Sequence, residues 1–249
     1  LKILFLDIET SPNVAHVWGI WQQNVSINQL MESSYTLCWA AKWASNGLTD
    51  NPVMFDSVYQ SSPKKMIKRI HSLLDQADMV IHYHGSAFDI PTLNKEFLLH
   101  GLPPPSPVKE LDLLKVVRDK FRFPSNKLDY VAQRLKLGKK YEHEGHSLWV
   151  KCMNNDPDAW AEMEAYNVHD VFLLEKLYHV LRPWIKGHLN TALFSGHPRC
   201  PTCGSTHYQK RGFSYTGTYQ YQRYQCLDCH SWFRGNKSTS KRGERFVGL

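Results

Sequence analysis

Leu1-Lys2-Ile3-Leu4-Phe5-Leu6-Asp7-Ile8-Glu9-Thr10 opens the chain as an apolar run that closes on two acids. Its composition predicts a buried strand over residues 2–8. Residues two apart on a strand point to the same face, so Asp7 and Glu9 leave together. Two carboxylates side by side repel unless a cation neutralises them. Taken alone, the pair also fits an ordinary solvated strand end. The run is too short for a signal peptide and lacks a small-residue cleavage site. An intracellular location, in cytoplasm or nucleoid, is the expectation.

Working outward, residues 35–45 and 52–58 are rich in aromatic and apolar residues and predict further strands. Met66, Ile67, Ile70, Leu73 and Leu74 form one apolar stripe, which predicts a helix over 63–76. Met79-Val80-Ile81 begins another strand, running on into His82-Tyr83-His84. A helix is expected from Ile90 to His100, stopped by Gly101 and Pro103-Pro104-Pro105. Short helices are expected over 109–121 and 127–136, and a long helical region over 157–186. Strands followed by strand–helix alternation predict a mixed α/β domain with helices packed on a sheet. No apolar run reaches the roughly 18 residues of a membrane-spanning helix, so no membrane partner is expected.

Two further acids stand at marked positions. Asp89 follows a small-residue turn and precedes a helix, where an N-cap role would also explain it. Tyr166 and Asp170 are four apart and share a helix face, a spacing also met on ordinary surface helices. In order, Asp7-Ile8-Glu9, Phe88-Asp89-Ile90-Pro91-Thr92-Leu93 and Tyr166-x-x-x-Asp170 resemble the three exonuclease motifs of the DEDD superfamily. The tyrosine four residues before the last aspartate marks its tyrosine subclass; the histidine subclass would have His where Ala165 stands. The Phe-Asp-Ile-Pro segment is most similar to proofreading domains of family-B DNA polymerases. Leu128-Asp129-Tyr130-Val131-Ala132-Gln133-Arg134-Leu135 and Gly138-Lys139-Lys140 also resemble the segment between the second and third motifs of stand-alone relatives. The likeness spans roughly residues 2–182 and implies a ribonuclease H-like fold. In one respect the chain departs from the pattern. Relatives often carry Asn four or five residues before the second-motif Asp, and here Gly85 and His84 occupy those positions.

The resemblance implies that Asp7, Glu9, Asp89 and Asp170 hold two Mg²⁺ or Mn²⁺ ions and that Tyr166 completes the catalytic set. Carboxylates suit such hard cations, whereas thiolates do not. Tyrosine, with a reference pKa near 10, is a poor base and a better orienter of water. The activity implied is 3′-to-5′ hydrolysis of phosphodiesters at single-stranded or frayed DNA 3′ ends. An exoribonuclease, a structure-specific nuclease of the same fold and a non-catalytic nucleic-acid adaptor remain open at this stage. Lys127, Lys139 and Lys140 are candidates for strand phosphates, set against solvated helix ends. Phe88, Trp18 and Trp21 are candidates for base contact, set against an expectation of burial. The run Glu142-His143-Glu144-Gly145-His146 is expected to be a solvated loop, and His169 to face away from Asp170 around its helix.

The 249-residue chain has 42% hydrophobic residues and a net charge of +7, with the whole excess at one end. Residues 1–190 hold 21 basic and 21 acidic residues, whereas residues 191–249 hold 9 and 2. A basic module on a neutral body suggests a polyanion-binding appendage. Cys200-Pro-Thr-Cys203 and Cys226-Leu-Asp-Cys229 have the spacing of one structural zinc site with four thiolates. Two disulfides are the alternative, disfavoured without a secretion signal. Cys38 and Cys152 are isolated and expected to be inert. Thr216-Gly217-Thr218 is the expected turn of the hairpin between the cysteine pairs. Residues 198–235 resemble zinc ribbons of transposase and transcription-related proteins. The ribbon is expected to bind nucleic acid through Lys210, Arg211, Arg223 and Arg234, with Tyr219 or Tyr221 stacking; protein docking is the competing role. From the ribbon alone, a viral or mobile-element setting is also open. The expected domains are residues 1–190, the ribbon 198–235 after a linker over 190–198, and a basic flexible tail over 236–249.

Overall fold

The computed structural model describes residues 1–45 and 51–240. The chain divides into two compact units, one of Lys2–Leu177 and one of Leu1 with Tyr178–Leu249.

The first unit is built on β1 (Ile3–Thr10), which runs through the middle of a five-stranded sheet. A small antiparallel pair, β2 (Val14–Ala15) and β3 (Leu30–Glu32), follows it. Next come β4 (Thr36–Trp43), β5 (Met54–Ser57), α1 (Pro63–Gln76), β6 (Met79–His82) and α2 (Asp89–Leu99). The chain continues with β7 (Lys109–Asp112), α3 (Leu113–Lys120), α4 (Leu128–Arg134), α5 (His146–Met153) and α6 (Pro157–Leu181). Sheet order is β5-β4-β1-β6-β7; β4 runs antiparallel to both of its neighbours, β1 and β5, and β6 and β7 run parallel to β1.

Alternation along β1 sorts its side chains. Leu4, Leu6 and Ile8 face one way and pack with Trp39 and Ala41 of β4, with Ile67, Ile70 and Leu74 of α1 and with Leu93 and Phe97 of α2. Asp7 and Glu9 face the other way, towards the side where Cys38 packs with α5 and α6. On that side Lys42, nearly fully buried, pairs with Glu175 of α6 at 2.5 Å. The mixed sheet flanked by helices is the architecture expected from the sequence.

Several expectations need correction. The helix expected over 109–121 begins only at Leu113. Lys109–Asp112 is instead an edge strand in register with β6, Ile81 opposite Leu111 and His82 opposite Asp112. Tertiary pairing overrides local helix propensity there, and Asp112 caps α3 by accepting from Leu114 N at 3.0 Å. Helix α5 was not foreseen. It starts after Gly145, whose φ of 73° is left-handed, and it buries Leu148 and Cys152. The strand expected to run through His84 ends at His82, because His84 turns into the left-handed region at φ 73°. Trp18, Trp21 and Phe88, expected to be buried, are exposed.

The second unit contains β8 (Tyr208–Tyr215), β9 (Gln220–Cys226) and β10 (Trp232–Ser238) in an antiparallel sheet ordered β10-β9-β8. The hairpin turn is closed by Thr216 N donating to Tyr219 O at 2.9 Å, around the expected Thr216-Gly217-Thr218. The stretch expected as a linker holds a 3-10 turn, Thr191–Phe194, and Thr191 N donates to Pro201 O at 2.8 Å. Strand β10 carries through Ser238, so residues 236–238 of the expected flexible tail are paired or extended strand; residues 241–249 lie outside the described residues. Among the described residues, no helix is long and apolar enough to cross a membrane.

Candidate active site

The carboxylate oxygens of Asp7, Glu9 and Asp170 lie within 4.8 Å of one another. Asp7 and Glu9 come from the central strand and Asp170 from α6, so the cluster forms only when that helix packs on the sheet. Asp89 joins from a third direction, as the first residue of α2, where its Oδ1 accepts from Ile8 N at 3.2 Å. The N-cap position itself is Phe88, and the Asp89 carboxylate turns to β1 instead.

Neighbouring side chains hold each acid. Asn167 Nδ2 donates to Asp7 Oδ2 at 2.6 Å, and Trp149 Nε1 donates to Glu9 Oε2 at 3.2 Å. Lys140 Nζ donates to Tyr166 Oη at 3.1 Å and to Asp170 Oδ2. Asp170 Oδ1 is buried without a hydrogen-bond partner. The loop that carries Lys140 is pinned twice. Its backbone N–H donates to Asp129 Oδ1 at 2.8 Å, and Lys139 O meets His169 Nε2 at 2.8 Å. This contact gives His169, the neighbour of Asp170 in the chain, a structural task.

The electrostatics follow from burial. Burial, then Asp170, Asp89 and Glu9, push the Asp7 carboxyl well above the usual range, against the pull of Lys140. Burial lifts Glu9 to about 8 and Asp89 to about 7, and also raises Asp170. The Tyr166 phenol is pushed up by burial, then by Glu9 and Asp170. For Lys140, burial acts downward, but Asp170, Tyr166 and Asp7 prevail and hold it firmly cationic. A cluster of acids that resist joint ionisation, one with an unpartnered oxygen, fits a divalent cation with hard oxygen ligands.

Trp149, Asn167 and His143 escaped the sequence analysis. Trp149 sits on the unforeseen helix. Asn167 follows Tyr166, one helical step from the residues whose four-residue spacing drew attention. His143 lies in the run expected to be a solvated loop, yet its ring packs edge-on to Trp149 and Tyr166 at 5.0 and 4.8 Å between centres. A histidine in a polar segment carries no sequence signal for that docking.

The turn before Asp89 accounts for the departure from the motif pattern. Asp112 accepts from His84 N at 2.9 Å and from Ser86 Oγ at 2.7 Å, which fixes the turn. A Cβ on Gly85 would stand 2.4 Å from His82 Cγ, so only glycine fits four residues before Asp89.

The basic candidates separate. Lys127 lines a cleft of about 520 Å³ with Asp7, Arg118, Asn126 and Lys140. Lys139 is exposed and paired with Glu142 at 2.5 Å. Lys140 lines the same cleft and also reaches Tyr166 and Asp170. Arg118 had not been singled out.

In the second unit, Cys200 Sγ lies 3.7 Å from Cys229 Sγ, and Cys203 Sγ lies 3.6 Å from Cys226 Sγ. A zinc–sulfur bond of about 2.3 Å gives a tetrahedral edge near 3.8 Å, so the four sulfurs fit one zinc ion and no disulfide. Cys38 and Cys152 are buried thiols raised by that burial, Cys152 to about 12, and Cys38, expected to be isolated, meets Asn167 Oδ1 through its Sγ at 3.8 Å. Strand register divides the ribbon sheet into two faces. Trp232 lies opposite Gln225, and Arg234 opposite Arg223, beside Tyr221. On that face the Arg223 guanidinium stands 4.9 Å and that of Arg211 5.9 Å from the Trp232 ring, with Arg234 4.1 Å from Tyr221. Lys210 pairs with Tyr224 and so belongs to the opposite face, with Tyr208 and Phe233. Trp232 was not among the stacking candidates.

A family model described as "RNase_H superfamily" matches residues 4–182. No curated protein matches the chain. Among solved structures, the family B DNA polymerase from the hyperthermophilic archaeon Pyrobaculum calidifontis is similar, with a TM-score of 0.50 and 15% identity over 73% of this chain. The likeness spans 25% of that polymerase and, at this identity, concerns the fold.

Proposed function

Because the chain belongs to the RNase H superfamily, we propose that it is a metal-dependent 3′-to-5′ exonuclease of the four-carboxylate, tyrosine kind, acting on DNA 3′ ends. The observation that carries this reading is the meeting of Asp7, Glu9 and Asp170 within 4.8 Å, with Asp89 beside them and Tyr166 on the face of Asp170.

Asp7, Glu9, Asp89 and Asp170 would hold the ions. Two divalent cations, when bound, neutralise charge developing on the phosphoryl oxygens and make water a competent nucleophile. The protein's own groups orient and hold. Asn167 and Trp149 fix the carboxylates of Asp7 and Glu9 through N–H donors. Tyr166, with its phenol kept protonated, donates or orients and does not act as a base. Lys140 keeps a positive charge beside Asp170. Lys127 and Arg118, in the cleft beside Asp7, are suited to phosphates of the bound strand.

The ribbon adds affinity in this reading. Arg211, Arg223 and Arg234 neutralise phosphates while Trp232 and Tyr221 stack on bases. Lys210 would serve a different path, from the other face. Replacing the three arginines by alanine should weaken binding and flatten its salt dependence by about 0.7 per lost phosphate contact.

The deciding experiment is a time course on 3′- and 5′-labelled single-stranded DNA and RNA, with Mn²⁺, Mg²⁺ or EDTA. It compares wild type with Asp7→Ala. Shortening from the 3′ end that needs metal and vanishes in the variant is expected, with DNA preferred over RNA. Cleavage by Asp7→Ala at the wild-type rate would remove the assignment, and no cleavage by wild type would turn attention to structured substrates or a binding role.

A further inference from the structure

One residue beyond Glu9, β1 ends, and the chain makes an excursion through β2 and β3 before returning as β4. Residues 11–31 contain no Asp, Glu, Lys or Arg. The tip, Trp18-Gly19-Ile20-Trp21-Gln22, exposes Trp18 and Ile20 completely and Trp21 at 79%. The stalk is well held. His16 N donates to Gln29 O at 2.9 Å, and Gln29 Nε2 donates back to His16 O at 2.9 Å. Ser34 N donates to Asn13 Oδ1 at 2.7 Å. At the tip Gln22 takes a left-handed φ of 47°, and Gln23 Nε2 donates to Trp21 O at 2.9 Å. Three large apolar side chains are thus presented to solvent on a hydrogen-bonded support, where they contribute nothing to a core.

The root of the excursion lies beside the helix that reaches the acids. The root residues Pro12, Val14 and Glu32 share a hollow with His146 and Val150 of α5. That same helix sends Trp149 to Glu9. Eight residues lie between Glu9 and Trp18, so Trp18 lies within about 30 Å of Glu9 even at full extension.

We propose that this tip is a base-stacking platform for the strand that enters the acid site, with Trp18 and Trp21 stacking on unpaired nucleobases and Ile20 wedging beside them. The proposal rests on reading the acid site as a nuclease. Indole rings stack on any base without sequence preference. The neutral excursion leaves phosphates to the cations of the cleft, and the amides of Gln22, Gln23 and Asn24 suit base edges. An anionic membrane surface would call for Lys or Arg here, and none is present.

The test uses the full chain in Ca²⁺, without Mg²⁺ or Mn²⁺. Fluorescence anisotropy of 5′-labelled oligothymidylate, and of an abasic strand of equal length, is measured for wild type, Trp18→Ala/Trp21→Ala and Trp18→Phe/Trp21→Phe. The alanine pair should weaken oligothymidylate binding on the order of tenfold per tryptophan. It should leave abasic binding unchanged, and the phenylalanine pair should keep most of the affinity. Equal loss on both strands, or none on either, overturns the proposal. So does an alanine variant that sediments as a smaller species with unchanged DNA affinity, which would assign the tip to a second copy of the chain. Cleavage in Mn²⁺ separates the two readings. A wild type that binds through the tip but never cuts would overturn the nuclease reading alone, and one that cuts normally without using the tip would overturn this proposal alone.

Discussion

Gly85→Ala tests how the turn before Asp89 is built. The added Cβ would stand 2.4 Å from His82 Cγ and 2.7 Å from both its Cβ and Nδ1, roughly 1 Å inside ordinary contact. His82 is fully buried, so its ring has no open space to enter. Overpacking of this kind costs about 1–3 kcal/mol, and the absence of free volume argues for the upper end. At about 2–4 °C per kcal/mol for a unit of this size, melting should fall by roughly 5–10 °C. The turn also carries Asp89 into the site, so cleavage should fall further than stability alone explains. The assay is calorimetry with a 3′-end digestion rate, on Gly85→Ala, His82→Ala and the double variant. His82→Ala removes the obstructing ring, so the double variant should be more stable than the sum of the single losses allows. Additive losses, or a Gly85→Ala protein that melts and cuts like wild type, would refute this account of the missing asparagine.

The His82 imidazole is lowered to about 4 by burial, with Asp112 opposing, from an ordinary value of 6.5. Its folded form therefore resists protonation: stability is whole above pH 6.5, falls as pH drops and loses about 2 kcal/mol by pH 5. Urea titrations at pH 7.5 and 5 should show that extra loss in wild type and not in His82→Phe, and equal slopes in both proteins would refute it. Lys42→Met strands Glu175 in the interior and should cost about 3–5 kcal/mol, whereas Lys42→Met/Glu175→Leu should recover most of it in the same titration. For the ribbon, Cys203→Ser should abolish stoichiometric zinc by elemental analysis and unfold that sheet, since bound zinc contributes about 10–16 kcal/mol to folding modules of this kind. The Lys2–Leu177 unit should keep its own melting transition, and loss of both transitions would contradict two compact units.

Much of this was legible in the chain. An apolar strand ending in Asp7 and Glu9, the Tyr166–Asp170 spacing and the paired cysteines each carry a local rule, a period or a ligand spacing, that holds before the chain folds. Local rules also misled. Lys109–Asp112 has helix-compatible residues, and only the open edge beside β6 makes it a strand. Other features needed the tertiary structure because they join residues far apart in sequence. Trp149 meets Glu9 across 140 positions and Asn167 meets Asp7 across 160, and neither pairing leaves a periodic trace. Lys140 looked like one of several surface lysines until the pinned loop turned it into the acids. The sheet register set Arg223 and Arg234 on one ribbon face and Lys210 on the other, and Arg211, at the break in register, joins the first through Trp232. By itself, then, the sequence determined which residues are candidates for the chemistry, because side-chain type and spacing are local. The tertiary structure decided which of them meet, because burial and long-range packing choose among partners that local rules leave equal.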